Sequence, residues 1–87
     1  HAFTVTVGFD PATGQCAEVF ADTPRGGQMA ATLADACVVI SIALQHGISP
    51  ADLGKSLGRV PLTWGDGDAP ASPIGAIVEA IQAEVRG

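Results

Sequence analysis

Between Gln28 and His46 about 19 consecutive residues hold neither proline nor glycine, and from Ala36 to Leu44 only Ser41 is polar. A helix of that length spans ~28 Å. Apolar on nearly every side, it is expected to be buried on most sides rather than to lie on a surface. This central helix is the expected core, and the rest of the chain must supply what covers it. Gly47 after His46 gives the stop signal, with Ile48 placed for the apolar contact that accompanies a left-handed C-cap. The chain has 87 residues, room for one core, so residues 1–87 read as a single domain.

Upstream, Phe3 to Phe9 alternates apolar and polar side chains with period two, a half-buried strand with Phe3, Val5, Val7 and Phe9 on one face. Asp10 to Gln15 carries Pro11 and Gly14, the chemistry of a reversal, and Cys16 to Ala21 is a second β-permissive run. Together they predict an antiparallel hairpin. Downstream, Ser49 and Pro50 open a short helix with Asp52 three residues beyond the cap, Leu53 and Leu57 inward, Gly54 weakening it and an end near Gly58. Arg59 to Ala71 is loop chemistry around Pro61, Gly65, Gly67 and Pro70, with Trp64 expected to pin it down. Ser72 and Pro73 then open a C-terminal amphipathic helix with Ile74, Ile77, Val78, Ile81 and Val85 on one face. The expected fold class is α+β: an N-terminal antiparallel β-hairpin followed by three helices (ββααα), the central helix buried.

Composition narrows the function classes. Hydrophobic residues make up 47% and charged residues 15%, the opposite of the signature of disorder, and the formal charge of -5 offers no broad basic surface for a nucleic-acid backbone. The longest uncharged stretch, Ala36 to Ala51, contains Ser41, Gln45, His46, Gly47 and Pro50, too polar and short to span a bilayer. No nucleic acid and no membrane are therefore expected as partners. Two cysteines build no disulfide framework, and a reduced, cytoplasmic setting is expected. Met29 is the sole methionine, so the chain reads as an engineered or an excised piece, with His1 a candidate tag residue.

The residues from Asp35 to Ser49 are the most distinctive. Asp35-Ala36-Cys37, then Ser41, then Ala43-Leu44-Gln45-His46-Gly47-Ile48 resembles the Asp-Ala-Ala-x-x-x-Ser-x-Ala-Leu-Gln-His-Gly-Val segment of the TSCPD domain, a small module at or near the C-terminus of adenosylcobalamin-dependent ribonucleotide reductases and also a stand-alone protein. Ala17-Glu18-Val19-Phe20 is similar to that family's Ala-Glu-[Ile/Val]-Phe strand, and Ser72-Pro73-Ile74-Gly75 to a Ser/Gly-Pro-Leu-Gly version of its C-terminal motif. Arg25 to Gln28 stands where the family has a Lys-x-Gly-Ser loop, with Arg25 replacing the Lys. The Thr-Ser-Cys-Pro-Asp signature is absent, and neither its Cys nor its Asp has a counterpart beside Ser72. Metal or redox work attached to that Cys is not carried over to this chain.

Other constellations read mostly as structural. Cys16 and Cys37 lack C-x-x-C spacing and are expected as buried structural thiols. No set of ligands for a metal is legible, and no cofactor is expected. Asp35, an acid among Ala and Leu, is either catalytic or caps a backbone or pairs with Arg25 or Arg59. Ser41 and Gln45 continue a face through Cys37, Ala34 and Ala30, small residues that let another helix approach. Asp66-Gly67-Asp68 reads as a solvated turn. Thr23 to Gln28 runs straight into the central helix. Arg25, Gly26, Gly27 and Gln28 would place freed backbone N–H groups and a guanidinium at a positive helix end, an anion pocket.

No nucleophile, base and orienter set is legible, so catalysis is not expected. Two function classes stand: a non-catalytic accessory or interaction module, which the resemblance links to ribonucleotide reductase as a partner, and a small anionic-ligand module, binding a nucleotide phosphate through the Arg25-Gly26-Gly27 loop. A homodimer or higher homo-oligomer is also expected, because the hairpin leaves two unpaired edges and three helices cover one face only.

Overall fold

Alternation in the first segment does produce a strand. The computed structural model describes residues 4–22, 26–63 and 65–86, and β1 (Thr4–Phe9) pairs antiparallel with β2 (Cys16–Asp22), Val7 opposite Val19 and Val5 opposite Ala21. Phe3 lies outside the described residues. The reversal is closed by Asp10, whose N–H donates to the Gln15 carbonyl at 2.8 Å and whose carboxylate accepts the Ala12 N–H at 2.8 Å. The register shifts between Gly8 and Phe9, so Phe9 meets Cys16 and stands half-exposed instead of joining Val5 and Val7.

Helix α1 (Gln28–Gln45) ends as expected. Gly47 takes φ +89, its N–H donates to the Leu44 carbonyl at 3.0 Å and the Ile48 N–H to the Ala43 carbonyl at 3.1 Å, the paired bonds of a Schellman stop. Helix α2 (Pro50–Gly54) starts on Ser49, whose side chain accepts the Asp52 N–H at 3.1 Å. It ends at Gly54, earlier than the expected Gly58. A Cβ on Gly54 would sit 3.1 Å from the Gln82 amide and 3.3 Å from a Val78 methyl on the last helix. Gly54 thus permits the close approach of α2 to that helix, and its low helix propensity falls at the helix end.

The stretch expected as plain loop contains a second small hairpin. Strands β3 (Arg59–Pro61) and β4 (Asp68–Pro70) pair antiparallel, Val60 opposite Ala69. The element order is β-β-α-α-β-β-α rather than β-β-α-α-α. Two prolines in strands of three residues hide the pattern from a periodicity reading; backbone bonds from Leu62 N–H to the Gly67 carbonyl and from Ala71 N–H to the Gly58 carbonyl flank the pair, and Arg59 Nε donates across it to Asp68 Oδ1 at 2.7 Å. Trp64, expected to pin this loop, lies outside the described residues. Helix α3 (Pro73–Arg86) follows, with Ser72 Oγ accepting the Gly75 N–H at 3.1 Å.

The fold is a mixed α+β domain with an N-terminal antiparallel hairpin and three helices, two long and one short. Its core joins Val19 and Cys16 of β2, Leu33, Cys37, Ile40 and Leu44 of α1, and Ile77, Val78 and Ile81 of α3. Val5, Val7, Leu53, Leu57 and Ile74 pack around it. Within one chain, α1 is buried along one stripe. Its opposite side, with Val38, Val39 and Ile42, faces outward.

Ile40 tests this core. With 6% of its surface exposed at mid-helix, Ile40→Ala should cost about 2–5 kcal/mol by leaving a cavity. Urea or thermal unfolding measures it, and an unchanged midpoint would mean that α1 does not carry the core.

Candidate functional site

The family-like residues of α1 converge on the free edge of β2. Val19 sits in β2 with its N–H and carbonyl turned away from β1. Ser41 Oγ takes that N–H at 3.0 Å and lies 3.5 Å from the carbonyl oxygen. One turn on, Gln45 Nε2 donates to the Ala17 carbonyl at 3.1 Å. One turn back, Cys37 lies beside Ala21, whose backbone partly offsets the desolvation of its thiol. Cys37, Ser41 and Gln45 therefore meet Ala21, Val19 and Ala17 in order, a helix running antiparallel to a strand. The spacing allows this because four helical residues rise ~6 Å and two strand residues ~6.7 Å. The small-residue face expected to receive another helix receives a strand edge.

The other polar cluster lies at the β3–β4 hairpin. Arg59 binds Asp68 and also donates from Nη2 to Glu79 of α3 at 3.1 Å, tying the hairpin to the helix. These hydrogen bonds raise the Arg59 pKa, Asp68 first and then Glu79. Arg59 is thus committed elsewhere and is not the partner expected for Asp35. Among the described residues no hydrogen bond or ion pair reaches Asp35, which is exposed on the outer side of α1.

Of the predicted anion site, Gly26, Gly27 and Gln28 are exposed at the start of α1, and Arg25 lies outside the described residues. Gly27 is the N-cap at φ 99, ψ -165. Among the described residues no side chain caps this end, and its first turn holds no acid. The first-turn N–H groups thus have no side-chain partner among the described residues, the arrangement that suits an anion or water.

Cys16 and Cys37 are free and buried. Desolvation pushes both thiols above their ordinary range. The Glu18 backbone partly offsets this at Cys16, and the Ala21 backbone at Cys37. Both stay protonated at neutral pH and make poor nucleophiles. No cluster of three or more His, Cys, Asp or Glu suited to a metal occurs among the described residues. A shallow groove of about 400 Å³ runs between Phe20 and Ala21 on one side and Val38, Ser41, Ile42 and Gln45 on the other. Sequence reasoning missed it, since it arises where two elements distant in the chain lie side by side.

Ser41→Ala should destabilise the fold by about 1–3 kcal/mol, because the Val19 N–H would be left buried without a partner. Denaturant unfolding gives the loss. Faster amide exchange at Val19 than at its core neighbours locates it, and an unchanged rate there would remove Ser41 from the edge.

Comparison with curated proteins and with solved structures returned no match. The TSCPD domain family model matches residues 1–85, essentially the whole chain. The Ala17–Phe20 strand and the Ser41 to Gly47 segment that carry the resemblance are also the elements joined at the β2 edge, and on that match the chain belongs to the TSCPD domain family, which is associated with ribonucleotide reductases.

Proposed function

We propose that this chain is a non-catalytic accessory module of ribonucleotide reductase, acting through assembly in the cytoplasm. The observation that carries the reading is the family match over residues 1–85. The use of the distinctive side chains supports it: Ser41 and Gln45 spend their hydrogen bonds on backbone groups of β2. Protonated, buried thiols supply no nucleophile. The module works by presenting surface, and the two thiols persist in a reducing compartment.

The test is a titration of this chain against the catalytic chain of an adenosylcobalamin-dependent reductase from the same genome, followed by interferometry. Saturable binding with a Kd on the order of 10 µM or tighter is expected, about -7 kcal/mol. An unsaturated signal well above that concentration would defeat the reading.

A second reading, that the chain binds a nucleotide phosphate or similar anion through Arg25, Gly26, Gly27 and Gln28, is favoured by the uncapped start of α1. Phosphate or nucleotide should then shift the Gly26, Gly27 and Gln28 amide resonances, and Arg25→Ala should weaken binding by about 1.5–3 kcal/mol without unfolding the chain. Unmoved amides at millimolar ligand leave the assembly module alone.

A further inference from the structure

The outer side of α1 carries a seam that the single chain leaves open. Asp35, Val39, Ile42 and His46 follow one another at steps of four, three and four residues, the spacing that keeps side chains on one line of a paired helix. All four are exposed, Val39 at 66% and Ile42 at 51%, and Val38 beside them at 57%. Across the groove Phe20 is 59% exposed. The helix has a mean hydropathy of 1.5 and is long and apolar enough by composition to cross a membrane as well as to fill a core, yet only 22% of it is buried.

We infer that this seam joins two copies of the chain, α1 against α1 in antiparallel orientation about a two-fold axis between Ile40 and Ser41. In that register each residue meets the one equally far on the other side of the axis. Asp35 faces the partner's His46, and Val39 packs on the partner's Ile42, each pair occurring twice. The seam is therefore complementary to itself, an imidazole that can donate a hydrogen bond against a carboxylate at its ends and apolar against apolar between them, which selects a second copy over another partner. Among the other antiparallel registers of these four positions, each opposes Asp35 to an apolar side chain or to the partner's Asp35.

The area agrees. The chain exposes 5967 Å², against about 4,700 Å² for a folded monomer of 8.7 kDa. The excess of about 1,200 Å², taken over the whole chain, leaves room for the ~800 Å² per partner of a standard interface. The radius of gyration of 13.3 Å is likewise above the ~12 Å of a compact chain this long. The inference deepens the reading of the chain as an assembly module and rests on it only in treating this surface as an interface. It needs no reductase.

Sedimentation of the full chain at micromolar concentration tests it and is separate from any reductase titration. A dimer is expected. Because Val39 and Ile42 are exposed in the single chain, Val39→Asp and Ile42→Glu should keep the circular dichroism spectrum and weaken the dimer by roughly a hundredfold. His46→Glu sets two carboxylates against each other and should also weaken it. Adding Asp35→Arg to His46→Glu should restore the dimer, which only the stated register explains. A monomeric chain overturns the inference. So does a dimer indifferent to Val39→Asp and Ile42→Glu, which would place pairing elsewhere, at the open edge of β1 first. Flotation of a monomer with lipid vesicles would assign the apolar face to a membrane and overturns it as well.

Discussion

Everything in this fold depends on α1 lying along the free edge of β2. A two-stranded hairpin is marginal in water, because it has one apolar face to bury and two open edges. Here one helix answers two of those demands. Its Leu33, Cys37, Ile40 and Leu44 stripe covers the apolar face, and its Ser41 and Gln45 side chains satisfy the outward backbone groups of β2. The two stripes lie next to each other on the helix, so a small rotation of α1 would lose both. Helix α3 completes the core with Ile77, Val78 and Ile81, and Arg59 fastens the small β3–β4 hairpin to it through Glu79.

What a single sequence makes legible here follows from the range of the interactions. The hairpin, the Gly47 stop and the Ser49 and Ser72 caps were readable, because each is settled within a few residues. The β3–β4 pair was not, since its strands are three residues long and the Arg59 to Asp68 bond joins residues nine apart. Ser41 and Gln45 stand out in the sequence as a face, but one whose small residues suggest a helix neighbour rather than a strand edge. Side chain to backbone bonds spanning 22 and 28 residues have no local signature. Gly54 looked like a weakness in α2 and is a contact with α3. Of the candidate site, the sequence located the uncapped helix start at Gly27, whereas the groove beside Phe20 required the two elements to be side by side.

Burial of α1 shows how composition and structure part company. The apolar run from Ala36 to Leu44 specifies a helix surrounded on most sides, but among the described residues the two hairpins and two further helices leave its outer side uncovered. Val38, Val39 and Ile42 are surplus to the core of one chain. A small domain has little apolar area to spare, and an exposed apolar line costs solubility. Such residues make physical sense where another surface meets them.

The same reasoning bears on what membership of the family means for this chain. The side chains of the resembling segment fall into two sets by direction. Cys37, Ser41, Leu44 and Gln45 point to β2 and the core, and they account for the fold. Asp35 and His46 point the other way and make no bond that the fold requires among the described residues. A buried, bonded residue is explained once its backbone partner is found. An exposed acid and an exposed imidazole eleven positions apart on one helical line, with Val39 and Ile42 between them, contribute almost nothing to one chain's stability. Their chemistry is complete only against a surface offering the opposite pattern, and a two-fold copy of the same line offers it. Function in this domain is therefore to be sought on the outer side of α1, where the requirements of the fold end.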